Sequence, residues 1–325
     1  MIRSALSIAG LAASLAAQTS VIIDTDVGND DLLAIAFLLS RKDVTVEAIT
    51  IVDGLAHVPV GAANVLRLLE AAGAARVPVY AGREAPLLRT APFPSEWRQT
   101  ADTLPGVSFP STRRKPEPMN AVDFLAERLG AANRPVRILA LGPLTNLGEV
   151  FRRQPRTARS ITELVIMGGA VREHGNLGDG GFFKTTNTTA EWNLFHDPLA
   201  AEIVFRSGVP LRLIPLDATN KVPIDLAFLR EFTSRARSPL GRVVAQILET
   251  ARPHIEQKFY FAWDPLAAVA LVDPAVATVK QLSIEVRRNP PEEGRTKEVS
   301  ARPNASVAVD ADPARFKKTF LAAFE

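Results

Sequence analysis

The chain has 325 residues, of which 47% are hydrophobic and 22% charged, and its formal net charge is +3. This is an ordinary balance for a soluble globular protein, and the length suffices for one large α/β domain. The absence of cysteine excludes thiol catalysis, disulfides and thiolate-held metals. Basic residues are dispersed apart from Arg113-Arg114-Lys115, so no nucleic-acid surface is expected.

Residues 1–17 read as a secretory signal. Arg3 supplies the positive start, residues 5–15 the apolar centre, and Ser14-Leu15-Ala16 a small-x-small cleavage site. The stretch is too short to span a bilayer. An ordinary N-terminal helix is the competing reading, but the first strand begins only three or four residues later. The mature protein, residues 18–325, is then expected to be one exported domain, periplasmic or secreted. With the N-terminus retained it would be cytoplasmic.

Apolar strands are predicted over 20–24, 45–51, 77–80, 136–141, 162–167, 211–215 and 283–287. Helical patterns fall between and after them, over 30–40, 58–72, 118–132, 144–152, 197–206, 238–258 and 264–271, with a last helix from about Pro313. Such alternation predicts an open, mostly parallel α/β sheet with helices on both faces, a Rossmann-like architecture. Two stretches interrupt it: 82–117, rich in Pro and Arg, and 171–190, rich in Gly and Thr. Connections this long in a compact α/β domain are usually functional or mobile.

The most informative run is Val21 to Leu39, VIIDTDVGNDDLLAIAFLL. Four carboxylates, Asp24, Asp26, Asp30 and Asp31, follow a strand apolar enough to be buried. Together they repel unless they share protons, meet solvent or bind a cation. A hard-metal site at the carboxyl end of a buried strand resolves the conflict, since open α/β sheets place ligands there. Asp26 and Asp31 are the best ligand candidates, with Gly28 turning the chain between them. Oxygen-only ligation favours Ca²⁺ or Mg²⁺ over Zn²⁺. Asp30 is placed to act as general base on water, and Asp24 to support by hydrogen bonds as a further candidate on the substrate side. The competing account, in which Asp30 and Asp31 merely cap the next helix, explains two carboxylates but not four.

Three weaker signals lie downstream. Trp263-Asp264-Pro265 opens an apolar helix, where Asp264 alone reads equally as an N-cap. Leu139 to Asn146, LALGPLTN, ends a strand in Gly-Pro and exposes backbone carbonyls. Ala190-Glu191-Trp192-Asn193 puts Glu191 and Asn193 two residues apart, on one side of an extended segment, where they can hold a polyhydroxylated ligand.

Together these motifs resemble the Ca²⁺-dependent nucleoside hydrolases, the inosine-uridine preferring superfamily. DTDVGNDD, LALGPLTNLGEV, VIMGGAV, AEWNLFHDPLAAEIVF, WDPLAAVALV and RPNASVAVDADPARF occur in the family's order along nearly the whole chain. The resemblance implies calcium held by Asp26, Asp31, Asp264 and the main-chain carbonyl of Leu141. It implies Asp30 as general base, and Glu191, Asn193 and Asn176 on the ribose, with Asn187 as the alternative to Asn176. It further implies homodimers or homotetramers acting on a small nucleoside, with neither membrane nor nucleic acid as partner.

Departures from the family pattern point to one branch. Val27 replaces a proline, and Leu55, just after Asp53, stands where pyrimidine-tolerant members have asparagine; Asp53 joins the candidate substrate contacts. Trp263 replaces a leaving-group histidine, as in the purine-specific inosine-adenosine-guanosine branch. Trp97 and Trp192 also fall where that branch has tryptophan. Sandwiched between Trp97 and Trp263, a purine would stack well, and stacking favours its protonated form. Of the four histidines, His57, His174, His196 and His254, none is a strong acid candidate, and His174 has the most favourable loop.

The expected function is purine-preferring hydrolysis of ribonucleosides to base and ribose. A pyrimidine-accepting ribosyl hydrolase, an exported nucleoside- or sugar-binding protein without activity, and a haloacid dehalogenase-like phosphohydrolase are the alternatives. The last needs Asp-x-Asp-x-Thr/Val, and Gly28 occupies its final position.

Overall fold

Alternation within Val21-Ile22-Ile23 explains the architecture. Val21 and Ile23 belong to one hydrophobic core and Ile22 to another, so the first strand is buried on both faces, as parallel sheets require. The structure is a computed structural model that describes residues 19–88, 90–131 and 136–325. The expected signal segment lies outside these residues.

Ten strands are described: β1 Thr19–Thr25, β2 Val44–Ile51, β3 Val79–Ala81, β4 Val136–Ala140, β5 Ile161–Met167, β6 Leu211–Ile214, β7 Ala277–Leu282, β8 Ile284–Val286, β9 Thr296–Glu298 and β10 Ala305–Ala311. Eight form one sheet in the order β3-β2-β1-β4-β5-β6-β10-β7, parallel except for the β10–β7 pair. Helices Asn29–Leu39, Val58–Ala71, Pro239–Thr250 and Trp263–Val272 cover one face; Ala121–Gly130, Thr145–Arg153 and Pro198–Arg206 cover the other. The predicted α/β fold with a mostly parallel sheet is what the chain adopts. Strand order reverses between β1 and β4, the switch point where such sheets bind ligands.

The expected strand over 283–287 leaves the main sheet. It forms β8, pairing with β9 in a separate two-stranded sheet. The edge strand β7 escaped the sequence reading because four of its six residues are exposed, which leaves no alternation to detect. The helix predicted over 238–258 breaks at Ala251 into Pro239–Thr250 and Arg252–Glu256. Pro253 has no amide hydrogen to continue the ladder. The Pro- and Arg-rich stretch contains a helix, Ser95–Thr103, and Leu226–Arg235 is a further unpredicted helix, capped by Asp225.

Two buried aspartates anchor the long loops. Asp197 accepts from the amides of Leu87 and Leu88 at 2.6 and 3.2 Å, from the Thr145 hydroxyl at 2.8 Å and from the Ala200 amide at 3.0 Å. Asp217 accepts from the amides of Val171 and Arg172, both at 2.9 Å. No described helix is long and apolar enough to cross a membrane.

Candidate active site

Beyond the carboxyl ends of β1, β4 and β5, the chain encloses a cavity. Its floor is polar, lined by Asp26, Asp30, Asp31, Asp264, Leu141, Asn176, Glu191 and Asn193. Its walls are aromatic, with Phe93, Trp97, Trp192, Phe259, Tyr260 and Trp263. Motifs scattered along the sequence meet here because β1 is hydrogen-bonded to both β2 and β4, which brings three strand ends level.

The turn from β1 into the helix is built differently from the expectation. Gly28 has φ of −68°, which any residue adopts. The left-handed residue is Val27, with φ of 60°, unusual for a β-branched side chain. Complete burial and a 3.1 Å bond from its amide to Thr25 Oγ1 hold it there. Gly28 is needed for space instead: a Cβ would lie 2.5 Å from Leu55 Cδ1 and 3.0 Å from carboxylate oxygens of Asp30 and Asp31.

Three of the carboxylates, Asp30, Asp31 and Asp264, bring oxygens within 4.8 Å of one another. Asp31 also accepts from the Thr25 hydroxyl and, at 2.9 Å, from the Gly28 amide, so it both caps its helix and faces the cluster. Asp26 Oδ2 accepts from the Leu55 amide at 2.8 Å. Burial, then the charge of Asp31, pushes the Asp26 carboxyl well above the ordinary range. The same two causes raise Asp264 well above that range and Asp30 to about 8. One buried oxygen of Asp264, Oδ1, has no hydrogen-bond partner. Among the described residues no lysine or arginine lines the cavity to compensate these charges.

Asp24 does not reach the cavity, which corrects its assignment as a substrate contact. Thr50 Oγ1 donates to it at 2.6 Å and Asn146 Nδ2 at 2.8 Å, while burial raises it to about 6. It supports the strand end from within. Asp53 is likewise not a cavity residue. Its carboxylate pairs with Arg98 at 2.8 Å and His196 at 3.2 Å.

Glu191 and Asn193 both reach the cavity, but from a helix start rather than an extended segment. Glu191 is the N-cap of Trp192–His196 and accepts from the amides of Gly169 and Asn193, both at 2.9 Å. Burial raises it to about 7. Asn193 Nδ2 donates to the carbonyl of Leu141 at 2.8 Å. Asn176 lines the cavity and accepts from the Trp192 amide at 3.1 Å. Asn187 is not among the lining residues; its amide group donates to the Glu293 carbonyl at 2.9 Å.

All three tryptophans line the cavity. Trp97 and Trp192 meet edge to face at 5.7 Å, and Trp263 packs edge to face on Tyr260 at 5.3 Å. The indole N–H of each tryptophan and the hydroxyl of Tyr260 are buried without a partner. Of the histidines it is His254, not His174, that lines the cavity; burial lowers its pKa.

Comparison with known proteins decides the class. The model of the family described as inosine-uridine preferring nucleoside hydrolase matches residues 21–318. The chain belongs to this family. It is therefore a nucleoside hydrolase, an enzyme acting on N-glycosyl compounds. Among relatives, the pyrimidine-specific ribonucleoside hydrolase RihA of Salmonella schwarzengrund is 31% identical over 303 residues, covering 90% of this chain and 94% of its own. A plant nucleoside hydrolase, PpNRh1, superposes with a TM-score of 0.82 at 28% identity over 94% of this chain and 99% of its own. The purine-preferring ribonucleoside hydrolase of Gardnerella vaginalis does so with 0.82 at 27%, covering 94% and 98%.

The nucleoside hydrolase site also holds residues that the sequence reading did not single out. Gly54 lies against Asp26, and Asn146 bonds Asp24. Phe93, Phe259 and Tyr260 complete the walls. A heightened density of aromatics around Trp97 and Trp263 was the available signal.

Proposed function

We propose that this enzyme hydrolyses the N-glycosidic bond of ribonucleosides with calcium bound at the aspartate cluster, and that it prefers purines. The observation that carries this reading is one cavity that gathers a cluster of carboxylates, with no lysine or arginine among its described lining residues, and a set of aromatic rings.

The donor set fits a hard cation. Asp26, Asp31 and Asp264, with the Leu141 carbonyl, would hold it, and the unpartnered Asp264 Oδ1 is an available ligand atom. Several carboxylates together with a main-chain carbonyl suit calcium better than magnesium, which keeps more of its waters. Bound there, the ion supplies positive charge that acidifies an attacking water and orients ribose hydroxyls.

The remaining chemistry belongs to the protein. Asp30 takes a proton from the water; its raised pKa of about 8 matches a base that works near neutrality. The geometry favours a second assignment as well. Because Asp30 shares the tight cluster with Asp31 and Asp264, Asp30 can itself serve as a ligand and leave proton abstraction to Asp26. Glu191, Asn193 and Asn176 orient the sugar, whose anomeric carbon passes through an oxocarbenium-like state. The departing base stacks on the tryptophans, whose unpartnered N–H groups can donate to its acceptor atoms. Among the described residues His254 is the one histidine lining the cavity, and burial lowers its pKa, so protonation of the departing base is not assigned to a histidine.

Relatives are named for both pyrimidine and purine substrates, so the preference rests on the wall: a bicyclic base offers more stacking surface than a pyrimidine. Release of ribose from inosine and guanosine, abolished by chelation and restored by Ca²⁺, is the expected outcome. Uridine turnover equal to that of inosine would remove the purine preference.

A further inference from the structure

Asp53 sits at the end of β2, outside the cavity, yet it is the common partner of two short helices that supply the aromatic wall. Its carboxylate binds Arg98 at 2.8 Å and His196 Nε2 at 3.2 Å, with the side chains of Asp53 and Arg98 each 13% exposed and that of His196 4%. Arg98 follows Trp97 on the helix Ser95–Thr103. Adjacent helical residues project about 100° apart, so anchoring Arg98 fixes the rotation at which Trp97 enters the cavity. His196 closes the helix Trp192–His196, and Phe93 lies against both Trp192 and His196 at 5.0 and 5.2 Å.

We propose that Asp53 is a positioning residue for base recognition: by holding Arg98 and His196 together it sets the relative placement of Trp97 and Trp192, and so the size of base the wall accepts. The inference rests on the nucleoside-hydrolysing reading of the cavity. Its chemistry is that of a paired, largely buried charge. The carboxylate is stabilised by two neighbours, burial opposing them, and a neutral residue at 53 leaves Arg98 without its anchor. The other hydrogen bonds from side chains outside the Trp97 helix, from Asn64 to the carbonyls of Ala101 and Asp102 and from His57 to Asp102, lie toward its C-terminal end, so its first turn is otherwise held by ring packing of Trp97 on Phe182 and Trp192 at 5.6 and 5.7 Å.

Asp53→Asn, Arg98→Met and Arg98→Lys, compared with the parent enzyme on inosine and uridine, test this. Asp53→Asn and Arg98→Met should raise KM for inosine about tenfold, leave kcat within about twofold, and lower the inosine-to-uridine ratio of kcat/KM at least fivefold. Arg98→Lys should recover most of the selectivity. Equal losses on both substrates, or losses confined to kcat or to thermal stability, overturn the proposal. Quenching of tryptophan fluorescence by hypoxanthine, assigned to Trp97 with Trp97→Phe, is read in parallel. Should the parent enzyme release no ribose, the functional reading fails, and this quenching still decides: weaker quenching in Asp53→Asn supports the positioning role, and unchanged quenching overturns it.

Discussion

A Cβ on residue 54 would stand 2.1 Å from Oδ2 of Asp26. No rotamer change at residue 54 relieves this, because a Cβ is fixed by the backbone. Gly142 fences the same aspartate from β4, where a Cβ would meet it at 2.8 Å. Asp26 is thus held by the absence of neighbouring side chains as much as by the Leu55 amide. Gly54→Ala should lower kcat/KM about 100-fold, the usual effect of displacing a reacting group by an ångström, with the far-UV circular dichroism unchanged. Full activity in that variant would mean that Asp26 has no part in turnover.

The two assignments of the base separate in paired substitutions. Asp30→Asn should reduce kcat by about 10² to 10⁴ if Asp30 accepts the proton, while calcium affinity by calorimetry changes little. A larger loss of calcium affinity than of kcat in Asp30→Asn, with the reverse pattern in Asp26→Asn, assigns the base to Asp26.

Acid–base linkage predicts an unusual profile for chelated protein. Asp24, Glu191 and Asp30 have folded-state pKa values of about 6, 7 and 8, all raised by burial. The folded state therefore keeps protons that the unfolded chain sheds near pH 4 to 5. Stability falls as pH rises wherever the folded state binds more protons. The melting midpoint in EDTA should decline from about pH 5 to pH 8, and excess Ca²⁺ should flatten that decline. A midpoint that rises steadily to pH 8 in EDTA would contradict these shifts.

Stacking on the wall is tested by Trp263→Ala. Loss of one stacked ring from a base is worth roughly 1–3 kcal/mol, so KM for inosine should rise about 5- to 150-fold, with a smaller rise for uridine. Equal changes on both nucleosides in steady-state kinetics would place Trp263 in packing alone.

Away from the chemistry, Asp197 is expected to matter for stability. Four donors converge on its buried carboxylate, and Asp197→Asn turns an amide donor toward some of them. A loss of about 3 kcal/mol, or roughly 4–5 °C in melting temperature for a chain of this length, should be seen by calorimetry.

The sequence was legible where chemistry is concentrated. Four carboxylates after an apolar triplet announced a ligand site on a buried strand, and the strand–helix alternation announced the sheet. The helix carrying Trp97 was hidden by a stretch dense in proline and arginine, and by Pro94 at its cap position. The roles of Asp24 and Asp53 could not be separated from those of their neighbours, since facing depends on partners far along the chain: Asn146 for one, Arg98 and His196 for the other. Strand β7 was hidden for the opposite reason, since an exposed edge leaves no hydrophobic signature.

The cluster joins Asp31, near the start of the chain, to Asp264, more than two hundred residues later. During synthesis the early aspartates leave the ribosome long before their distant partner does. A nascent chain therefore carries an incomplete set of carboxylates until nearly all of it has been made. On the proposed metal site the enzyme gains its last ligand only then, and a truncation before Asp264 should be inactive.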